Sequence, residues 1–102
     1  MANPEVVTAN KVKQSIAEPP MFKIIYINDN TTSMEFVIES LMEYFDYTED
    51  TANQITVDIH EAGAATVAVL PYEVAEQKGI EVTIDARSHG FPLQIKLEPD
   101  SE

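Results

Sequence analysis

Two consecutive prolines, Pro19 and Pro20, divide this chain more firmly than any other feature. Proline has no backbone N–H and a fixed φ, so neither a helix interior nor a sheet ladder runs through the pair. A packed domain is therefore expected from residues 21–102, with residues 1–20 as a flexible N-terminal extension. Apolar residues in that extension are sparse (Val6, Val7, Val12, Ile16), and only Val12 and Ile16 share the spacing of one helical turn. None of the 102 residues is a cysteine, so the domain has no disulfide and no thiolate chemistry. It must hold together by apolar burial alone.

Past the prolines the pattern is dense. Phe22-Lys23-Ile24-Ile25-Tyr26-Ile27 is β-branched and aromatic and reads as a strand, ended by the turn formers Asn28-Asp29-Asn30. Thr32 followed by Glu35 has the spacing of a capping box, and Met34, Val37, Ile38, Leu41, Met42 and Phe45 recur at helical intervals until Asp46-Tyr47. Thr48 is placed to cap a second helix that carries Ala52, Ile55 and Ile59 on one face and stops at Gly63. Ala64 to Leu70 reads as a buried strand. Pro71 suits the first turn of a third helix running to about Arg87, with Gly79 a weak point inside it. Leu93 to Leu97 alternates as a strand with one solvated face. The order β-α-α-β-α-β predicts an α+β domain, a three-stranded antiparallel sheet with three helices on one face.

Charge narrows the partners. Six basic residues face 18 acidic ones, for a net charge of −12. Lys11 and Lys13 balance Glu5 and Glu18, so the surplus lies entirely after residue 20. Such a surface repels phosphate backbones and anionic lipid, so neither nucleic acid nor membrane is an expected partner, while cations and basic protein surfaces are attracted. No apolar run approaches the ~20 residues of a membrane span. No basic-then-apolar leader is seen either, so a cytoplasmic location is expected.

Asn28-Asp29-Asn30 invites a calcium-loop reading with Thr32 and Glu39 in ligand spacing. It fails on Asn28 at the first position and on Ser33 where the loop needs glycine. His60, flanked by Asp58 and Glu61, lacks the second histidine of an HExxH site, because position 64 is Ala. As a general base His60 would need a positioned partner such as Asp29. No phosphate loop or nucleophile elbow is present. The same residues carry another reading: a strand ending in an amide and a carboxylate, beside a helix-end histidine, can ring a cation with acceptors. Met34, Val37 and Ile59 could wall an adjoining apolar pocket, or could equally be ordinary core. Such a pocket suits a ligand that carries an amine next to an apolar group.

Taken in order, Pro19-Pro20-Met21-Phe22-Lys23, Asn28-Asp29, Thr32-Ser33-Met34-Glu35-Phe36-Val37, His60 with Gly63, Glu73-Val74-Ala75-Glu76-Gln77-Lys78, Ala86-Arg87 and Pro92-Leu93 resemble the ClpS family over Pro19 to Glu98. These are bacterial adaptors of the N-degron (N-end rule) pathway. The resemblance implies an adaptor and no catalytic, metal or cofactor site. It implies binding of proteins that begin with Leu, Phe, Tyr or Trp and their delivery to a ClpA-type (or ClpC-type) unfoldase for degradation by ClpP. By position, Asn28, Asp29 and His60 would take the free α-amino group. Thr32, Met34, Val37, Thr56, Ile59 and Leu93 would surround the side chain, with Met34 as the gate against β-branched residues. Glu73 and Lys78 would meet the N-terminal domain of the unfoldase, the extension before Pro19 would serve delivery, and the chain would act as a monomer.

The chain departs from that family at three places. Asn30 stands where a second aspartate is usual, Thr31-Thr32-Ser33 replaces Tyr-Thr-Pro, and Thr56 replaces a bulky methionine. Asn30 and Thr56 leave open an alternative, a regulatory module of the Clp unfoldase whose pocket is weakened or altered.

Overall fold

The computed structural model of the chain describes residues 19–101. The expected extension, with its Val12–Ile16 turn, lies almost wholly outside the described residues. From Met21 the elements are β1 (Met21–Ile27), α1 (Met34–Phe45), α2 (Glu49–Ala62), β2 (Ala64–Pro71), α3 (Tyr72–Ser88) and β3 (Gln94–Pro99). This is the β-α-α-β-α-β order that the hydrophobic periodicity predicts. The sheet is antiparallel with β1 in the centre, in the order β2-β1-β3.

The central strand explains the core. Ile24 and Tyr26, two apart on one face of β1, are fully buried, and so are Leu41 of α1, Ala52 of α2 and Val82 of α3. Burying each large side chain contributes about 1.5–3 kcal/mol, and without disulfides these terms hold the domain. The Tyr26 hydroxyl meets a partner inside that core, Ser40 Oγ at 2.7 Å. Ser40 donates its one proton to the Val37 carbonyl at 2.8 Å, so Tyr26 is the donor to Ser40. Burial pushes the Tyr26 hydroxyl far above its ordinary pKa, which keeps it a donor at any working pH.

Helix ends follow the sequence with one correction. Thr48 caps α2 by accepting from the Thr51 N–H, and Gly63 ends it at φ 89°, a left-handed conformation that glycine adopts without strain. Asp46 closes α1 at φ 59°. The Thr32–Glu35 capping box does not form: Ser33 caps α1, its Oγ accepting from the Phe36 N–H at 3.1 Å. The Thr32 hydroxyl is turned instead toward Asp29, to which it donates at 2.8 Å. Along α3 the small residues Ala75, Gly79, Val82 and Ala86 face inward. A Cβ at Gly79 would stand 3.6 Å from Ile95 Cγ2, an ordinary van der Waals contact, so the packing leaves room for a larger residue at this position. β3 begins at Gln94, one residue later than the alternation implies, and Leu93 just before it is buried.

Register then determines what meets at one end of the sheet. Ile27 closes β1 opposite Ala64 on one side and Gln94 on the other. The Asn28 N–H continues the ladder by donating to the Gly63 carbonyl at 2.9 Å. The end of β1, the end of α2 and the start of β3 therefore converge. No helix among the described residues is long and apolar enough to cross a membrane.

Candidate functional site

That convergence encloses a small cavity. Its rim is Asn28 and Asp29 after β1, Thr32 before α1 and His60 in the last turn of α2. Its apolar side is Met34 and Val37 of α1, Thr56 and Ile59 of α2, Leu93 before β3, and Ile27 at the end of β1. The nine residues singled out from the sequence for amine and side-chain binding thus line one cavity, and Ile27 is the one lining residue that was not foreseen. The strand end gives its only signal, since Ile27 directly precedes Asn28.

Asp29 organises the rim. Its Oδ1 accepts the backbone N–H groups of Thr31 at 2.8 Å and Thr32 at 2.7 Å, and its Oδ2 accepts the Thr32 hydroxyl. This is the local turn chemistry for which aspartate is favoured, a carboxylate capping the residues two and three ahead. Partial burial pushes the carboxyl pKa up. The bonds from Thr32 and Thr31 outweigh that push, the Arg87 charge adds to them, and the group is held below the ordinary carboxylate value. Asp29 is therefore an anion at neutral pH, with acceptor capacity left beyond its three bonds. His60 is exposed at the mouth; Asn30 is exposed too but does not line the cavity.

The wall is apolar in effect as well as in composition. Val37, Thr56, Ile59 and Leu93 are all buried. The Thr56 hydroxyl donates back to the Ala52 carbonyl at 2.8 Å, so it is satisfied within its own helix. Met34, the first residue of α1, is 46% exposed and stands at the mouth. The free volume is about 20 Å³, room for roughly one water molecule.

Glu73 and Lys78 do not join this cavity. Both lie on α3, where Glu73 is exposed, and Lys78 lines a separate shallow groove with Tyr47, Val69 and Val74. The described residues hold no group of three or more His, Asp or Glu side chains that could bind a metal ion.

Known proteins give the arrangement a context. The family described as "ATP-dependent Clp protease adaptor protein ClpS" matches residues 17–96. The ClpS adapter of Helicobacter hepaticus is 40% identical over 83 residues, spanning 81% of this chain and 84% of that protein. The ClpS adapter of Nitrosospira multiformis is 40% identical over 94 residues, spanning 92% and 91%. Among solved structures, Agrobacterium tumefaciens ClpS2 bound to L-phenylalaninamide superposes with a TM-score of 0.79 at 35% identity, covering 81% of this chain and all of that one. The coverage excludes a shared fragment, and the sheet order and helix placement run through the whole described domain. The chain belongs to the ClpS family of adaptor proteins of the ATP-dependent Clp protease.

Proposed function

We propose that this adaptor captures proteins by an unblocked, bulky apolar first residue (Leu, Phe, Tyr or Trp) and passes them to a ClpA- or ClpC-type unfoldase for degradation by ClpP. The observation that carries this reading is the single cavity in which an anionic, acceptor-rich rim adjoins a buried apolar wall. It is supported by the solved relative, Agrobacterium ClpS2, which was determined with L-phenylalaninamide bound. That molecule pairs a free amine with a benzyl side chain, the chemistry of a protein N-terminus beginning with Phe.

In this reading Asn28, Asp29 and His60 receive the α-ammonium group. That group has an ordinary pKa of about 7.7–8.0, so most of it is charged at neutral pH. A hydrogen bond to a charged group contributes roughly 1.5–3 kcal/mol, and burying a Leu or Phe side chain about as much. Neither alone overcomes the cost of association, so recognition needs both. Thr32, Val37, Thr56, Ile59 and Leu93 surround the side chain. A cavity with room for one water does not admit a phenyl ring, so Met34 swings from the mouth as the ligand enters and rejects side chains branched at Cβ. Asn30 points to solvent, so the missing second aspartate weakens long-range attraction more than direct contact.

Glu73 and Lys78 engage the N-terminal domain of the unfoldase. Residues 1–20 act as a delivery extension separate from the 21–102 domain, so their removal spares peptide binding and stops delivery. The adaptor works as a cytoplasmic monomer and performs no chemistry of its own. The closed cavity favours one second reading, a regulatory partner of the unfoldase whose pocket no longer opens. Isothermal titration with peptides beginning Leu, Phe, Ile and acetyl-Leu separates them. We expect binding of the first two only. Equal affinity for Leu and acetyl-Leu rules out amine recognition, and no binding by any peptide selects the regulatory reading.

A further inference from the structure

The chain has one arginine, Arg87, against 18 carboxylates, yet among the described residues that arginine forms no ion pair. Its Nη1 instead donates two hydrogen bonds to backbone carbonyls, Phe91 at 3.0 Å and Leu93 at 2.8 Å. The two acceptors flank Pro92, which has no N–H of its own to anchor the segment. Phe91 N–H returns to the Ala86 carbonyl at 2.9 Å, and Gly90 N–H to the Arg87 carbonyl at 3.0 Å. The chain thus folds back on the end of α3, with the guanidinium spanning the fold. On the far side the Phe91 and His89 rings pack against Phe36, with centroids 5.5 and 5.4 Å away. Phe36 adjoins the cavity residue Val37. Leu93, the last residue held by Arg87, is the buried residue that this segment places in the cavity wall.

We propose that Arg87 is a positioning residue of the pocket, which fixes the depth of Leu93 in the wall and sets its charge behind the anionic rim, and so tunes which side chains the pocket prefers. The inference rests on the amine-and-side-chain reading of the cavity for its functional meaning. Its structural content stands on the two carbonyl bonds. Arginine suits the task because its planar group donates divergent bonds from one nitrogen and remains charged at every accessible pH. The Arg87 charge also lowers the proton affinity of the Asp29 carboxyl, which links this clasp to the rim.

Arg87→Met and Arg87→Lys separate the two effects. Methionine removes donors and charge, whereas lysine keeps the charge and loses the planar double grip. Titration with Phe- and Leu-initiated peptides should show both variants weakened, Arg87→Met by about 3- to 10-fold, with the Phe-to-Leu preference shifted toward the larger side chain as the wall recedes. Carbon-detected NMR of the free proteins should show the Leu93 methyl signals moved in both variants. The Asp29 carboxyl should titrate at higher pH in Arg87→Met but not in Arg87→Lys. A purely structural role would lower the melting temperature and leave the Phe-to-Leu ratio and the Asp29 titration unchanged, which overturns the proposal. If the parent protein binds neither peptide, the N-degron reading falls, while the Leu93 and Asp29 signals of the free variants still decide the role of Arg87.

Discussion

Two short segments deliver residues to the same cavity by opposite means. Residues 28–33 wrap around an anion: the Asp29 carboxylate gathers N–H and hydroxyl donors from Thr31 and Thr32. Residues 87–93 wrap around a cation: the Arg87 guanidinium gathers carbonyls from Phe91 and Leu93. The first leaves a negative group at the mouth with capacity to accept one more donor. The second spends two donors on the backbone and presents an apolar side chain. The difference teaches that rim and wall in this pocket are held by different hydrogen bonds and are linked through the Arg87 charge, so a substitution in one segment weighs mainly on that segment.

The hardest break is in the shape segment. Leu93→Ala empties a fully packed position and should cost about 2–5 kcal/mol of stability, read as a lower denaturant midpoint. It should also abolish the distinction between large side chains in peptide titration. Asp29→Ala attacks the other segment. It should weaken binding of a Leu-initiated peptide by about 1–3 kcal/mol, and an unchanged affinity would remove Asp29 from the amine site.

The first segment is anchored at Gly63, whose carbonyl receives the Asn28 N–H while its φ is 89°. Gly63→Ala should lower stability by about 1–2 kcal/mol because a Cβ is strained there, although the space around it is open. Acidity tests the rim again. Asp29 titrates below its ordinary value, so its bonds stabilise the fold fully above about pH 3.9, and that contribution is lost as pH falls through the folded-state value. The Asp29 carboxylate therefore contributes no pH dependence of its own to peptide affinity between about pH 5 and 7. Above about pH 8 that affinity should fall as the ligand amine loses its proton, by about 1.4 kcal/mol per unit at most. A fall that begins near pH 6 would point to another titrating group. The smallest effect is expected at Thr56→Val. The hydroxyl bonds only within its own helix, so stability and affinity should move by less than about 0.5 kcal/mol.

Most of the fold was legible because it is written locally: β-branched and aromatic residues in β1, alternation in β3, helical spacing in α1 and α2, and Thr48 and Gly63 at the ends of α2. What the sequence hid was competition for one side chain. Thr32 satisfies the spacing of a capping box, but a carboxylate three residues earlier claims its hydroxyl, and Ser33 inherits the cap. Spacing rules weigh one partner at a time and do not register such rivalry. In the site, the rim could be suspected from Asn28, Asp29 and His60. The side-chain positions Thr32, Thr56 and Leu93 could be named only through family resemblance, because the wall is assembled by register and by chain reversal. Arg87 stood in a landmark motif without a role, since a guanidinium that bonds to carbonyls leaves no pattern in the partner sequence.

The hydrogen bond from Asn28 to Gly63 has a consequence for how such a pocket changes over generations. It joins strand end and helix end through main-chain atoms, so the spacing between the Asp29 and His60 stations is set without any lining side chain. On the proposed amine-and-side-chain reading, substitutions at Met34, Val37, Thr56 or Leu93 should then alter the menu of accepted residues while the grip on the amine stays in place. On that reading, a scaffold of this kind separates the choice of side chain from the hold on a free N-terminus, so the first can change one substitution at a time.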